Sequence, residues 1–193
     1  GLSRYLIWMM KHGYITHLAS NGAGSIHDFE LAYLGGTSEH VPTALEDGSF
    51  GMWEETGRWM NEALQIGAQK GWGYGESLAH YVDEHPDRFP YREDCVFYQA
   101  YKMGVPVTYH VGVSTDIIAQ HPIADFAALG QTSGTDFAYF CHSIAQLDGG
   151  VHLNIGSAVT GAEVFLKALS LITFLRNTAS AHCGKATMPL KIR

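Results

Sequence analysis

Tyr14-Ile15-Thr16-His17-Leu18-Ala19 runs directly into Ser20-Asn21-Gly22-Ala23-Gly24-Ser25 and then into Ile26-His27-Asp28-Phe29-Glu30. The first six residues are β-rich, the next six carry the glycines of a tight turn, and the last five open a helical pattern. The stretch therefore reads as strand, turn, helix. Glycine lets the backbone turn sharply and approach a ligand closely, while the leading N–H groups of a helix and its dipole attract a phosphate or another anion. Ser25 with Asp28 has the spacing of a capping box. Gly22 and Gly24 alone fall short of the full dinucleotide fingerprint, and a well-capped helix after a tight turn accounts for them equally well.

Outward from this stretch the same alternation continues. Strands are expected over 14–19, 105–111 and 151–155, and helices over 25–34, 52–67, 74–84, 94–103, 123–129, 136–147 and 159–171. Four or five βα units imply an α/β fold with a parallel or mostly parallel sheet. In the longest helix Met52, Trp53, Thr56, Trp59, Met60, Ala63 and Leu64 recur on one face, with Glu54, Glu55, Arg58 and Asn61 on the other. Residues 35–50 and 67–75 read as Gly-rich connections. Beyond Leu175 no stable period persists.

Composition narrows the functional classes. The chain has 193 residues, 46% of them hydrophobic, with 22 Gly and 6 Pro, which describes a globular chain and excludes a disordered or collagen-like one. Twelve Lys and Arg against 19 Asp and Glu give a net charge of −7, and no basic block is present to follow a phosphate backbone, so no nucleic-acid partner is expected. Three separated cysteines, Cys95, Cys141 and Cys183, suit neither a disulfide framework nor a zinc knuckle, and a reducing, cytoplasmic location is expected. The apolar run over 168–175 is shorter than the ~20 residues of a membrane span, so no membrane partner is expected either. The chain opens on the helical stripe Leu2, Leu6, Ile7 and Met10, from which a missing upstream strand is expected. The eleven histidines follow no metal-binding spacing, and no G-x-S-x-G elbow occurs, so neither a metal site nor a serine hydrolase is expected.

Two further segments bear on chemistry. Gly149-Gly150 precede Val151-His152-Leu153-Asn154-Ile155, and Gly156-Ser157 follow it, a second glycine turn at a strand end. Ligands of open α/β sheets sit at the carboxyl ends of strands, so two such turns favour a nucleotide crevice. After the strand Val107-Thr108-Tyr109-His110-Val111, Asp116 stands in the loop Gly112-Val113-Ser114-Thr115-Asp116. It is suited to an ammonium or a ribose hydroxyl, or equally to capping the turn at Ile117-Ile118.

Over residues 2–171 the sequence resembles the bacterial branch of the deoxyhypusine synthase family. The resemblance is carried by Asn21-Gly22-Ala23-Gly24-Ser25-Ile26-His27-Asp28-Phe29-Glu30, Gly36-Thr37-Ser38-Glu39 and Glu46-Asp47-Gly48-Ser49-Phe50-Gly51. It continues through Val105-Pro106-Val107-Thr108, Thr115-Asp116-Ile117-Ile118, His121-Pro122, Gly149-Gly150-Val151, Asn154-Ile155-Gly156-Ser157-Ala158-Val159 and Glu163-Val164-Phe165-Leu166-Lys167. The resemblance implies a Rossmann-like NAD-binding fold, a mostly parallel sheet with helices on both faces. It also implies a homotetramer with sites shared between paired subunits. The implied chemistry takes hydride from spermidine to NAD and passes an aminobutyl group, through an imine on an enzyme lysine, to a protein lysine or a diamine such as putrescine.

Carried over residue by residue, Asn21, Gly22, Ala23, Gly24, Asp28, Gly149 and Gly150 match positions that approach NAD, and Asp116 matches an aspartate of the polyamine pocket. His27 stands where eukaryotic members have an acid that contacts the polyamine. Asn154 stands where they have the histidine of proton transfer, and an Asn cannot act as a general base near neutral pH. Gly184-Lys185 matches the motif of the nucleophile, making Lys185 the implied catalytic lysine, and Asn177-Thr178-Ala179 resembles the NAD-contacting segment before it. The expected organisation is an NAD-binding domain over 1–175, incomplete at its start, followed by a short tail over 176–193. A non-catalytic member that keeps the fold, the oligomer and nucleotide binding is the alternative.

Overall fold

The structure, a computed structural model, describes residues 2–182. It is mixed α/β and dominated by helix: α1 (Ser3–Lys11), β1 (Leu18–Ser20), α2 (Gly22–Leu34), α3 (Val41–Asp47), α4 (Glu54–Lys70), α5 (Tyr74–Glu84), α6 (Val96–Met103), β2 (Val107–Tyr109), α7 (Phe126–Ala145) and α8 (Thr160–His182), with short 3₁₀ turns at Pro86–Arg88, Arg92–Asp94 and Ile117–Gln120. The chain divides into two compact units between Tyr139 and Phe140.

In the first unit β1 and β2 pair in parallel, Leu18 opposite Val107 and Ser20 opposite Tyr109. Parallel strands demand a crossover, and α2 through α6 supply it. Of the sheet expected from the sequence, the described residues form this one pair, shorter than the expected strands over 14–19 and 105–111. The segment over 151–155 forms no ladder. Its Val151, Leu153 and Ile155 are 78%, 71% and 84% exposed, because the alternation that suggested a strand has no ladder partner among the described residues and glycines in the left-handed region flank it, Gly149 at φ 78 and Gly156 at φ 72.

The core of this unit is aromatic. Phe29 of α2 meets Phe89 edge-on at 5.1 Å, Tyr33 meets Trp59 of α4 at 5.3 Å, and Trp59 meets Phe89 at 5.7 Å, the offset geometry that ring quadrupoles favour. The α4 stripe is buried at Thr56, Met60, Ala63 and Leu64, as its 3.6-residue period predicts, whereas Met52 and Trp53 precede the helix and lie exposed. Asn61, expected on the outer face, is buried, because its amide donates to the carbonyls of Gly57 and Ile118 and so ties α4 to the turn at Ile117–Gln120. The 35–50 connection contains α3, with Pro42 at the start and Gly48 at the end. The two helices expected over 123–129 and 136–147 form one, α7. Asp125 accepts from the N–H groups of Ala127 and Ala128 at its start, and the weak formers Thr132 and Thr135 bond back to the carbonyls of Ala128 and Gln131.

Three carboxylates are buried in this unit: Asp28, Glu30 and Asp136. Each is held by hydrogen-bond donors, the alternative to an ion pair for a carboxylate in the interior. Glu30 accepts from the N–H and hydroxyl of Ser38 and from Thr56 Oγ1, clamping the 35–50 connection onto α2 and α4. Asp136 Oδ2 accepts from Gly75 N–H at 3.1 Å and Tyr109 N–H at 2.7 Å, so one carboxylate of α7 closes both the first turn of α5 and the end of β2. A Cβ on Gly73 would collide with that carboxylate, and this explains the glycine before α5.

In the second unit, His152 stacks on Phe165 of α8 at 4.2 Å, and Arg176 donates to the Ala145 carbonyl. Helix α8 runs on to His182, across the boundary expected between 175 and 176. Its length comes from residues whose mixed period gave no reading, among them Asn177 and Thr178. Thr178 satisfies its hydroxyl by donating back to the Phe174 carbonyl.

Candidate functional site

The turn between β1 and α2 is built on Asn21. Its side-chain oxygen accepts from Gly24 N–H at 2.9 Å, so Asn21 is the N-cap and the helix begins at Gly22. The capping box expected at Ser25 and Asp28 is therefore not the helix start. Ser25 lies inside the first turns, fully buried, and donates to the Gly22 carbonyl at 2.6 Å while Tyr74 hydroxyl lies 3.0 Å from its oxygen. Because Ser25 spends its hydrogen on Gly22, Tyr74 is the donor in that pair. Burial pushes the Tyr74 phenol well above its usual pKa, so it remains a donor near neutral pH.

Asp116 arrives from the loop after β2 and packs on this turn: a Cβ on Gly22 would fall inside its carboxylate. The carboxylate is half-buried, and loss of solvent raises its pKa, opposed by a hydrogen bond from Thr115. It also begins the 3₁₀ turn Ile117–Gln120 in extended backbone without a side-chain capping bond, so of its two sequence readings the capping one is not realised. The structure thus brings Asn21, Gly22, Ala23, Gly24 and Asp116 together at the carboxyl ends of β1 and β2. Gly22 is buried, whereas Asn21 and Ala23 are exposed.

Asp28 is buried in the first unit. Asp28 accepts from Val96 N–H and Phe97 N–H, each at 2.9 Å, and from the Cys95 thiol at 3.4 Å, so it caps α6 from within the core. Burial raises its pKa despite those donors. His27 is exposed on α2. Gly149, Gly150 and Asn154 belong to the second unit. There Gly150 N–H donates to the Leu147 carbonyl, and Asn154 donates to Ser157 carbonyl at 2.9 Å, closing the turn into α8. Lys185 lies outside the described residues.

Sequence reading passed over a polar cluster beside the crevice. Thr108 Oγ1 lies 3.0 Å from His17 Nε2 and 3.1 Å from His110 Nε2. His110 continues the ladder, donating its N–H to the Ser20 carbonyl at 2.9 Å, and its ring meets Phe137 edge-on. Burial lowers its pKa to about 4, so the imidazole is neutral at physiological pH. The alternation of Thr108 and His110 on one strand face was the available signal. The partner His17 became visible only once the register of β1 was known.

The chain matches no family model, no curated protein and no solved structure with which it was compared.

Proposed function

We propose that this chain is a deoxyhypusine synthase-like enzyme that binds NAD and a polyamine and transfers an aminobutyl group from spermidine to an amine acceptor. The observation that carries the reading is the packing of the Asp116 carboxylate on Gly22 at the carboxyl ends of two parallel strands, which joins two peptides of the family resemblance 94 residues apart. A half-buried carboxylate suits a desolvated ammonium, the group a polyamine presents at intervals along its length. The NAD assignment fits the same turn. Gly22 and Ala23 open α2 behind the Asn21 cap, and the leading N–H groups of a helix attract an anion such as a pyrophosphate.

When bound, NAD supplies the hydride acceptor. The chain's own residues do the rest: Asp116 orients the amine by charge, Tyr74 and Ser25 hold the turn rigid, and Asp28 supports α2 from below by capping α6. On the family resemblance, Lys185 is the proposed nucleophile, His27 a polyamine contact, Gly149 and Gly150 cofactor contacts, and Asn154 the counterpart of the proton-transfer histidine. The finer fold proposed is the Rossmann-like sheet, and the proposed assembly is a cytoplasmic homotetramer.

Calorimetric titration with NAD, with and without spermidine, followed by borohydride trapping, tests the reading. Expected are NAD binding strengthened by spermidine and a trapped aminobutyl adduct on Lys185 that Lys185→Ala abolishes. Binding of neither ligand overturns the reading, and NAD binding without any amine turnover favours the non-catalytic alternative.

A further inference from the structure

We infer that the groove between α4 and the C-terminal end of α5 is a binding site for a free α-amino acid, held at its ammonium by Glu62 and at its carboxylate by Arg88. The inference is independent of the reaction proposed above, since the groove lies within the first unit and shares no residue with the crevice at the strand ends.

The groove has a volume of about 280 Å³ and is lined by Glu62 and Ile66 of α4, by the buried Tyr81 of α5, and by His85 and Arg88 just after α5. Sites for drug-sized ligands occupy about 300–1,000 Å³, so the occupant here is small. Its polar groups form a connected series. The Tyr81 hydroxyl donates to Glu62 Oε2 at 2.6 Å and accepts from Arg88 Nη1 at 2.8 Å, so a carboxylate and a guanidinium stand at most two hydrogen bonds apart, bridged by one oxygen. Burial pushes the phenol well above its usual pKa, which keeps the hydrogen on Tyr81 and fixes the direction of the series. Arg88 is steadied by Trp59, whose ring centroid lies 5.2 Å from the guanidinium carbon. His85 Nδ1 lies 2.8 Å from the Tyr81 carbonyl, which can only accept, so the ring hydrogen sits on Nδ1 and Nε2 of the neutral imidazole is an acceptor.

Charge decides the class of ligand. Tyr81 engages one of the five N–H donors of a guanidinium and one of the roughly four lone-pair sites of a carboxylate. Among the described residues neither Glu62 nor Arg88 enters a salt bridge, and Arg58, one turn before Glu62, is engaged by Glu54 instead. A ligand with negative charge alone meets the repulsion of Glu62, and one with positive charge alone meets that of Arg88. A molecule whose two charged groups are two bonds apart satisfies both. The carboxylate of an α-amino acid suits the planar fork of Arg88, its ammonium suits Glu62, and an apolar side chain meets Ile66, which is 39% exposed.

Calorimetric titration of the full chain with leucine and phenylalanine tests the site, beside the decarboxylated analogues isoamylamine and phenethylamine and the deaminated analogues isocaproate and hydrocinnamate. Expected are binding of an amino acid, affinity about 10-fold or more weaker for both of its analogues, and a loss of about 10-fold or more in Glu62→Gln and in Arg88→Gln. Glu62→Gln keeps an acceptor for Tyr81 and Arg88 is exposed, so both variants are expected to fold. If either does not, the analogues on the parent chain decide. Absence of binding at about 10 mM of either amino acid overturns the inference. So does an analogue that binds as well as its amino acid, which would mean that one charge suffices, or parental affinity in the two variants, which would put the amino acid elsewhere.

Discussion

The carboxylate of Asp116 occupies the space that any side chain on residue 22 would need. Glycine is thus required at position 22 by contact and not by backbone conformation, since Gly22 is an ordinary helical residue. Two parts of the chain far apart in sequence are locked together where the strand ends, the start of α2 and the loop after β2 converge.

Gly22→Ala tests this lock directly. Alanine is the better helix former, so helix propensity alone favours the variant. Overpacking against Asp116 outweighs that gain, with an expected loss of about 1–3 kcal/mol in urea denaturation. Asp116→Ala relieves the collision, so the double variant is expected to be more stable than the sum of the single changes predicts, by about 1 kcal/mol or more. Additive effects would show that the two residues do not meet.

Asp28 separates support of the fold from contact with cofactor. Asp28→Asn turns one of the acceptor oxygens that receive Val96, Phe97 and Cys95 into a donor, leaving a buried N–H unsatisfied. The expected cost is about 1–3 kcal/mol of stability. NAD affinity of the folded variant is expected to equal the parent's. A variant with parental stability and weakened NAD binding would return Asp28 to the cofactor site.

Asp136 makes stability fall as pH rises. Burial holds its pKa up at about 7, against 3.8 for an unperturbed aspartate, so the folded chain keeps a proton that the unfolded chain releases. The contribution is complete below about pH 4, declines as pH climbs toward 7 and is level above, by at most about 4 kcal/mol across the interval. Asp28, raised for the same reason, contributes with the same sign. Relative to the parent, Asp136→Asn is expected to lose stability as pH is lowered from 8 to 4, read from denaturation midpoints.

The periodic elements were legible in the sequence because their cause is local. Helix α5 has the bounds that its pattern and the His85-Pro86 stop predict, and the core face of α4 follows from 3.6-residue spacing. What escaped depends on distant partners. Asn61 looks solvent-facing until the Ile118 carbonyl comes to it, and Asp28 looks like a capping-box acid until α6 supplies two N–H groups. The 151–155 alternation is that of a strand, yet a strand exists only with a neighbour. At the site, Asn21 to Gly24 and Asp116 could each be singled out from sequence, but the contact between Gly22 and Asp116 is a tertiary fact.

His110 opposes Asp136. Its folded pKa of about 4 lies below the ordinary histidine value of 6.5, so the unfolded chain binds a proton that the folded chain refuses. Its stabilisation is present above about pH 6.5 and is lost as pH falls toward 4, by at most about 3 kcal/mol. Over the same interval Asp136 gains what His110 loses, so the two contributions offset each other in the parent. Removing either group exposes the other. Asp136→Asn is expected to lose stability on acidification relative to the parent, and His110→Asn to lose stability on alkalinisation relative to the parent. Chemical denaturation of the three proteins at pH 4.5 and pH 7 decides it: two variants tilting the same way would mean that one of these burial-driven shifts has the wrong sign.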